Sequence, residues 1–248
     1  MFVLTKSVLA MMISFILAVL FGIFLIPILK KMKASQRISI YVSEMHKGKN
    51  GTPTMGGLIF IIPVILTIVI LYFLGKVNFS YNLLIIVFTF ISYSLIGFLD
   101  DYLIIKRHNN KGLTEIQKLL LQIIVAIIFF YLFMKGGNEP LLWIKSLNIR
   151  LELNWVYGLF ILFILVASSN AVNITDGLDG LAGGLSVISF LTFGIISWST
   201  GWLQGYDDIA VFCFILIGGI LGFLVFNLNP AKVLMGDTGS LSLGATLG

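Results

Sequence analysis

Long hydrophobic stretches separated by short polar segments dominate the pattern of this 248-residue chain. A helix needs about 20 apolar residues to cross the core of a bilayer, and seven stretches approach that length. They are Ser7–Leu29, Gly57–Leu74, Tyr81–Leu99, Leu119–Met134, Trp155–Ser169, Leu181–Ser197 and Ile209–Phe226. The pattern predicts an all-α fold, a polytopic transmembrane helix bundle with seven complete spans.

An eighth apolar stretch begins near Ser240 and stops at Gly248, in the middle of its pattern. Half a span would leave backbone polar groups unsatisfied in lipid, so we expect the sequence to be truncated at its C-terminus. Residues 1–248 are expected to form a single integral membrane domain. Between the fourth and fifth spans, Glu139–Asn154 is expected to form a short hairpin or an interfacial segment.

Composition excludes several other classes of protein. Hydrophobic residues make up 58% of the chain and charged residues only 11%. The net charge of +5 does not indicate nucleic-acid binding, because the basic residues lie in loops between apolar spans. The single cysteine, Cys213, lies inside an apolar stretch and indicates neither a disulfide nor a metal cluster.

Basic residues predict which loops face the cytoplasm. Seven crossings place alternate loops on opposite sides, and one set of loops holds 11 of the 16 Lys and Arg residues. That set consists of Lys30–Gly56, Asp100–Lys118, Asn170–Gly180 and Asn227–Gly239. The positive-inside rule assigns this set to the cytoplasm and the N-terminus to the outside.

The most informative polar stretch is Asn170–Leu181, which lies between two long apolar stretches. Its polar residues recur at every third position, which keeps them on neighbouring parts of one helix surface. They are Asn170, Asn173, Asp176 and Asp179. Gly177 and Gly180 are expected to end or kink the helix. Such a row of carboxamides and carboxylates can hold a cation and orient a phosphorylated ligand; a polar loop rich in capping residues is the structural alternative.

Carboxylates from three separate segments fall on the predicted cytoplasmic side. They are Asp100, Asp101, Asp176, Asp179 and Asp237. Charges at a membrane boundary are costly enough that five are unlikely to gather by chance. Hard cations such as Mg²⁺ prefer oxygen ligands and bridge to substrate phosphates, so the cluster predicts a Mg²⁺ site. A topological stop at the paired Asp residues and a helix N-cap at Asp237 are the alternatives.

Two further segments indicate phosphate binding. The hydroxyls of Thr52 and Thr54, the neighbouring glycine amides and the Lys49 ammonium could form an anion cradle before the second span, although a flexible turn is equally compatible. The small residues of Gly236–Ser240 open the last helix and would leave N–H groups for phosphate oxygens. Lys118, at a predicted helix start, is another candidate for phosphate binding.

These motifs together resemble the polyprenyl-phosphate N-acetylhexosamine-1-phosphate transferases. The resemblance rests on Thr52–Gly57, Asp100–Asp101, Asn170–Gly180 and Met235–Ser240. Within that superfamily, Thr52–Gly57 is most similar to the bacterial phospho-N-acetylmuramoyl-pentapeptide transferases. The resemblance implies a bundle of about ten spans in the bacterial inner membrane, with the active site in a cytoplasmic cleft.

The resemblance also implies a reaction and its participants. Phospho-MurNAc-pentapeptide would move from UDP-MurNAc-pentapeptide to undecaprenyl phosphate, which releases UMP and forms the first lipid-linked peptidoglycan precursor, lipid I. Mg²⁺ is the implied metal, with the lipid bilayer as surroundings. Both a direct attack by the lipid phosphate and a two-step route through a phosphorylated Asp remain open.

Individual roles follow from the motifs that match. The resemblance makes Asp237 a catalytic residue and, with Asp176, a metal ligand, and it puts Asp100 and Asp101 beside the attacking lipid phosphate. Residues predicted to bind substrate, from their own chemistry or from the resemblance, are Lys49, Thr52, Thr54, Lys118, Asn170, Asn173, Asp176, Gly177, Asp179 and Asn227.

Other functions remain to be distinguished. A related transferase that uses UDP-GlcNAc is the nearest enzymatic alternative. A membrane transporter is an alternative from another class, although it should carry polar residues near mid-span. A scaffold that binds lipid carriers without turnover is a third. The oligomeric state is open, with a homodimer as one arrangement.

Overall fold

The computed structural model describes residues 2–32, 52–107, 112–200 and 206–248. Within these ranges the chain forms eight α-helices and one two-stranded hairpin. The elements are α1 (Phe2–Lys31), α2 (Leu58–Phe73), α3 (Tyr81–Arg107), α4 (Glu115–Lys135), β1 (Leu141–Ile144), β2 (Ile149–Glu152), α5 (Val156–Thr175), α6 (Leu181–Thr200), α7 (Tyr206–Asn227) and α8 (Gly236–Leu247).

The predicted helical membrane bundle is confirmed, but the span count differs. Among the described helices, six are long and apolar enough to cross a membrane, and the protein is therefore a multi-pass membrane protein. The predicted span Gly57–Leu74 is instead the 16-residue α2, which at 1.5 Å per residue is shorter than a bilayer core of about 30 Å. Its C-terminus is fixed by Gly75, whose positive φ of 64° permits a tight C-terminal turn.

The third predicted span was too short. It was expected to end at Leu99, before the paired Asp residues, yet α3 continues to Arg107. The residues after Asp101 are Tyr102–Ile105, which contain no helix breaker, so the helix carries both carboxylates within its length. Asp100 and Asp101 therefore have helical geometry and point in different directions.

Helix α7 forms much of the core, with most of its residues buried. It packs closely against α1 because Gly218 and Gly222 face that helix without side chains. A Cβ at Gly218 would run into the carbonyl oxygen of Met11, and one at Gly222 would meet Ala18. Small residues of this kind allow membrane helices to approach closely.

Helix α8 packs against α3 and α5, and its first turn also contacts the segment before α2. Gly97 of α3 lies directly against the backbone of Asp237, and its Cβ would overlap the Asp237 carbonyl group. Gly57, before α2, lies equally close to the backbone of Gly239. We call the end of the bundle where α8 starts, and where α1 and α3 end at Lys31 and Arg107, the basic end.

Replacing Gly97 with Ala is expected to displace the start of α8. The new Cβ meets backbone rather than a flexible side chain, so we expect a destabilisation of about 1–3 kcal/mol and reduced activity. Gly184→Ala in α6 is the matched control, since no described atom lies within 4 Å of its Cβ position, and alanine favours a helix by about 0.5–1 kcal/mol. Thermal unfolding in detergent should separate the two variants; equal midpoints would contradict the proposed packing.

At the opposite end, the segment between α4 and α5 is a hairpin, one of the two structures that the sequence left open. Strands β1 and β2 pair antiparallel, with Trp143 opposite Arg150. The Arg150 guanidinium lies 4.5 Å from the centre of the Trp143 ring, a cation–π contact between cross-strand partners.

Candidate functional site

Two carboxylates and one ammonium group meet at the basic end. The Lys118 Nζ donates to Asp237 Oδ2 at 2.6 Å and lies 3.3 Å from Asp100 Oδ1. These residues come from α4, α8 and α3, and each is at most partly exposed, with side-chain exposures of 22% for Lys118, 19% for Asp237 and 7% for Asp100. The ammonium thus bridges two carboxylates that are far apart in the sequence.

The position of Lys118 follows from the start of α4. Thr114 caps this helix, because its hydroxyl accepts from the Gln117 N–H while the Gln117 side chain accepts from the Thr114 N–H. This capping box fixes the first turn. The loop just before this capping box also holds Asp100, since the Asp100 Oδ1 accepts from the Leu113 N–H at 2.9 Å.

Asn173 orients the other side of the Asp237 carboxylate. Its Nδ2 donates to Asp237 Oδ1 and to Ser240 Oγ, both at 2.8 Å. Ser240 in turn donates to the carbonyl oxygen of Gly236. Both hydrogens of the Asn173 amide are therefore used to hold the first turn of α8 against the end of α5.

Asp101 binds the N-terminus of α8 rather than facing Lys118. It is fully buried. Its Oδ1 accepts from the Asp237 N–H at 3.3 Å, and its Oδ2 accepts from the Thr238 N–H at 2.9 Å and the Thr238 hydroxyl at 2.6 Å. A carboxylate at a helix N-terminus is favourable because it satisfies otherwise unpaired N–H groups.

This contact corrects the expectation that the N–H groups at the start of Gly236–Ser240 are available to bind phosphate oxygens. The first amides of α8 already donate to Asp101, and they are consequently not a phosphate-binding site in this arrangement. The catalytic assignment of Asp101 stays a prediction, whereas its role in fixing α8 follows from its contacts.

The segment 52–57 braces the loop before α8. Gly56 N–H donates to the Leu234 carbonyl and Gly57 N–H to the Met235 carbonyl, while the Leu234 N–H donates to Pro53. The amides of Gly56 and Gly57 are therefore not available to the predicted anion cradle, since backbone pairing already uses them. Gly51 lies outside the described residues.

The two threonines of this segment have different surroundings. Thr54 is buried, and its Oγ1 has no hydrogen-bond partner among the described residues. Thr52 is partly exposed. Lys49 lies outside the described residues. The assignment of these three residues to substrate binding stays a prediction.

The row of polar residues at the end of α5 is not one uniform surface. Asn170 is exposed and donates to the carbonyl of Val166 in its own helix. Helix α5 ends at Thr175, as the glycines predicted, so that Asp176 lies partly buried at its C-cap and Gly177 is exposed in the turn. Within this row, the Asn173 side chain reaches Asp237.

Asp179 and Asn227 connect two loops. Asp179 Oδ2 accepts from the Ala231 N–H at 3.1 Å. Buried Asn227 accepts from the Gly180 N–H and donates to the Val233 carbonyl, each at 3.0 Å. These contacts give both side chains a structural role, and their assignment to substrate binding stays a prediction.

The donor set at Asp237 fits a hard divalent cation. Oxygens of Asp237 and Asp100 converge on one cationic atom, the Lys118 Nζ. Among the described residues no three His, Cys, Asp or Glu side chains form a metal-binding group. A Mg²⁺ ion typically takes one or two carboxylates and completes its shell with water and substrate phosphates. Asp237 and Asp100 would suffice for that, while Asp176 as a ligand stays a prediction.

Thr238 and Ser240 have functions in the site that the sequence did not predict, although both belong to the motif Met235–Ser240. Thr238 completes the contact with Asp101, and Ser240 anchors Asn173. Their spacing from Asp237 was the available signal, because hydroxyl residues in the first turn of a helix often bind nearby polar groups.

Comparisons with known proteins agree with this architecture. Residues 83–248 match the family described as glycosyl transferase family 4, and residues 49–61 match phospho-N-acetylmuramoyl-pentapeptide-transferase signature 1. The signature thus begins just before the segment that braces α8.

Relatives carrying the name phospho-N-acetylmuramoyl-pentapeptide-transferase cover nearly the whole chain. The protein of Geobacillus thermodenitrificans is 42% identical over 97% of this chain and 72% of its own length. That of Listeria monocytogenes serotype 4b is 44% identical over 95% of this chain and 71% of its own. That of Staphylococcus saprophyticus is 46% identical over 96% and 72%. The chain therefore belongs to the phospho-N-acetylmuramoyl-pentapeptide-transferase family of membrane enzymes.

Proposed function

We propose that the protein transfers phospho-MurNAc-pentapeptide from UDP-MurNAc-pentapeptide to undecaprenyl phosphate in a Mg²⁺-dependent reaction that yields lipid I and UMP. The observation that carries this proposal is the convergence of Asp100, Lys118, Asn173 and Asp237 from four helices at one end of a membrane bundle. The match to signature 1 favours the MurNAc donor over UDP-GlcNAc.

The location of the site suits its two substrates. One is a lipid whose phosphate lies at the membrane boundary, and the other is a water-soluble nucleotide. The loops that hold 11 of the 16 Lys and Arg residues include the segments around this site in the sequence, and we assign the basic end to the cytoplasmic face of the bacterial inner membrane by the positive-inside rule. The polar side chains of the site meet where both substrates can arrive.

The reaction joins two anions, so positioning and charge neutralisation are its main requirements. An oxygen of the lipid phosphate attacks the β-phosphorus of the donor, the bond from that phosphorus to the oxygen of UMP breaks, and UMP leaves with the electron pair. Asn173 and Ser240 hold Asp237 in place, and Lys118 offers its ammonium to phosphate oxygens. Asp237 and Asp100 would hold Mg²⁺, which would neutralise phosphate charge when bound.

Asp100 is the member of the pair that faces the reacting groups in this proposal. Its Oδ1 points to Lys118, whereas both oxygens of Asp101 are directed to α8. In the direct route, Asp100 accepts any proton left on the lipid phosphate. In the two-step route, the same carboxylate attacks the β-phosphorus and becomes phosphorylated. We favour the direct route.

UMP release by the purified, detergent-solubilised full-length protein tests the proposal. The assay contains UDP-MurNAc-pentapeptide and undecaprenyl phosphate, with and without Mg²⁺, and UDP-GlcNAc replaces the donor in a parallel series. Release that needs both the lipid and the metal is expected. Release with UDP-GlcNAc alone would reassign the donor, and release without lipid would indicate hydrolysis or the two-step route. No release with either donor from folded protein would reject a transferase function.

A further inference from the structure

We propose that the Lys118 ammonium occupies the position of the divalent cation and that metal binding requires its displacement. Lys118 and the metal would then compete for the same oxygens of Asp237 and Asp100. This inference rests on the proposed function, in which a divalent ion binds at these two carboxylates, and it adds a competitor from the protein itself.

The competition follows from the geometry of the ion pairs. Lys118 Nζ lies 2.6 Å from Asp237 Oδ2 and 3.3 Å from Asp100 Oδ1. A Mg²⁺ ion binds oxygen at about 2.0–2.1 Å, so an ion on the same two oxygens would lie almost where the ammonium now lies. The Lys118 ammonium and a Mg²⁺ ion cannot occupy that position together, because no ligand atom or water molecule would lie between the two positive charges.

The Asp237 carboxylate is divided between two kinds of partner, which makes the exchange feasible. Its Oδ1 accepts from Asn173, an uncharged amide anchored on Ser240. Its Oδ2 accepts from Lys118. When the ammonium leaves, Asn173 still holds the carboxylate in orientation, and the oxygen that becomes available is the one that faces Asp100.

Lys118 has the freedom to leave while its backbone stays fixed. The capping box at Thr114 and Gln117 holds the first turn of α4, but the lysine side chain is a flexible four-carbon stem and is 22% exposed. Phosphate oxygens of a bound donor would offer the displaced ammonium a new anionic partner. Metal and donor are therefore expected to bind cooperatively, because each favours the same displaced position of Lys118.

Direct metal binding tests the competition without an activity assay. Mn²⁺, a spectroscopic substitute for Mg²⁺, is titrated into the purified protein and the unbound ion is measured by electron paramagnetic resonance. We expect Lys118→Met to bind Mn²⁺ at least tenfold more tightly than the unaltered protein. Lys30→Met is the matched control, since Lys30 is exposed in the last turn of α1 at the same end of the bundle, and it should leave the affinity unchanged.

The outcomes separate this inference from the proposed function. Equal or weaker Mn²⁺ binding by Lys118→Met, together with Mg²⁺-dependent UMP release by the unaltered protein, would overturn the competition alone. A failure of every form to bind Mn²⁺ would overturn the competition and the proposed metal dependence together. Tighter binding by both lysine variants would indicate a general charge effect and would also reject the specific role of Lys118.

A measurement on the unaltered protein covers the case in which Lys118→Met does not fold. The purified protein is briefly acetylated with and without Mg²⁺, and the modified lysines are quantified by mass spectrometry. Metal binding is expected to expose the Lys118 amine and raise its acetylation rate relative to Lys30. An unchanged or slower rate at Lys118 under saturating Mg²⁺ would overturn the proposal.

Discussion

Asp237→Asn is expected to lower the rate of UMP release by about a hundred- to thousand-fold, the loss typical of removing one preorganised electrostatic contact from an active site. The carboxylate accepts from Asn173 on one oxygen and from Lys118 on the other. An asparagine has a single acceptor oxygen, so its NH₂ group must face one of these two donors. The substitution also removes the charge that would bind the metal.

Asp207→Asn is a matched control for this variant. Asp207 lies in the first turn of α7, as Asp237 lies in the first turn of α8, but it is exposed at the opposite end of the bundle. Its substitution should leave UMP release unchanged. Both variants should retain their helical circular-dichroism signal. Near-normal release by Asp237→Asn would remove this residue from the proposed mechanism.

The convergence of the site could be predicted from charge and topology. Apolar stretches alternate the loops between two sides, and the acidic motifs all fall in one set of loops. The structure brings Asp100, Lys118, Asn173 and Asp237 into contact at that end. The alternation of apolar and polar stretches does not show where a helix ends. For that reason α3 was expected to stop before Asp100, although no helix breaker follows Asp101.

The direction of each side chain could not be predicted. Asp100 and Asp101 are adjacent, and consecutive residues on a helix point about 100° apart. The sequence gives no information about which of them faces Lys118 and which faces α8, because that depends on how α3 is rotated in the bundle. The close approach of Gly97 to Asp237 fixes this rotation.

The hydrogen-bond partners of the backbone amides could not be predicted from the sequence either. Small residues at a helix start indicate available N–H groups, and glycines before a helix suggest the same. In the folded chain, Asp101 accepts hydrogen bonds from the amides of Asp237 and Thr238. Carbonyl groups of the loop before α8 accept from the amides of Gly56 and Gly57. Tertiary contacts between distant segments therefore decide whether such groups can bind a ligand.

Asp101→Ala is expected to abolish activity and also to destabilise the fold, unlike a change at a purely catalytic carboxylate. The substitution leaves the partly buried Asp237 N–H, and the fully buried N–H and hydroxyl of Thr238, without their acceptor. Each unsatisfied buried group costs about 1–3 kcal/mol. The start of α8 should move, and the Asp237 carboxylate should lose its alignment with Lys118 and Asn173.

Comparison with two other variants separates positioning from catalysis by Asp101. Thr238→Val removes one of the three donors and should lower the thermal midpoint by less than Asp101→Ala does. Asp100→Ala should reduce UMP release strongly with a smaller change in midpoint, because Asp100 accepts from the short loop at Leu113 rather than from α8. An Asp101→Ala protein that unfolds at the normal temperature but lacks activity would contradict the positioning role. It would place Asp101 among the catalytic residues instead, since only contacts with substrate could then explain the loss.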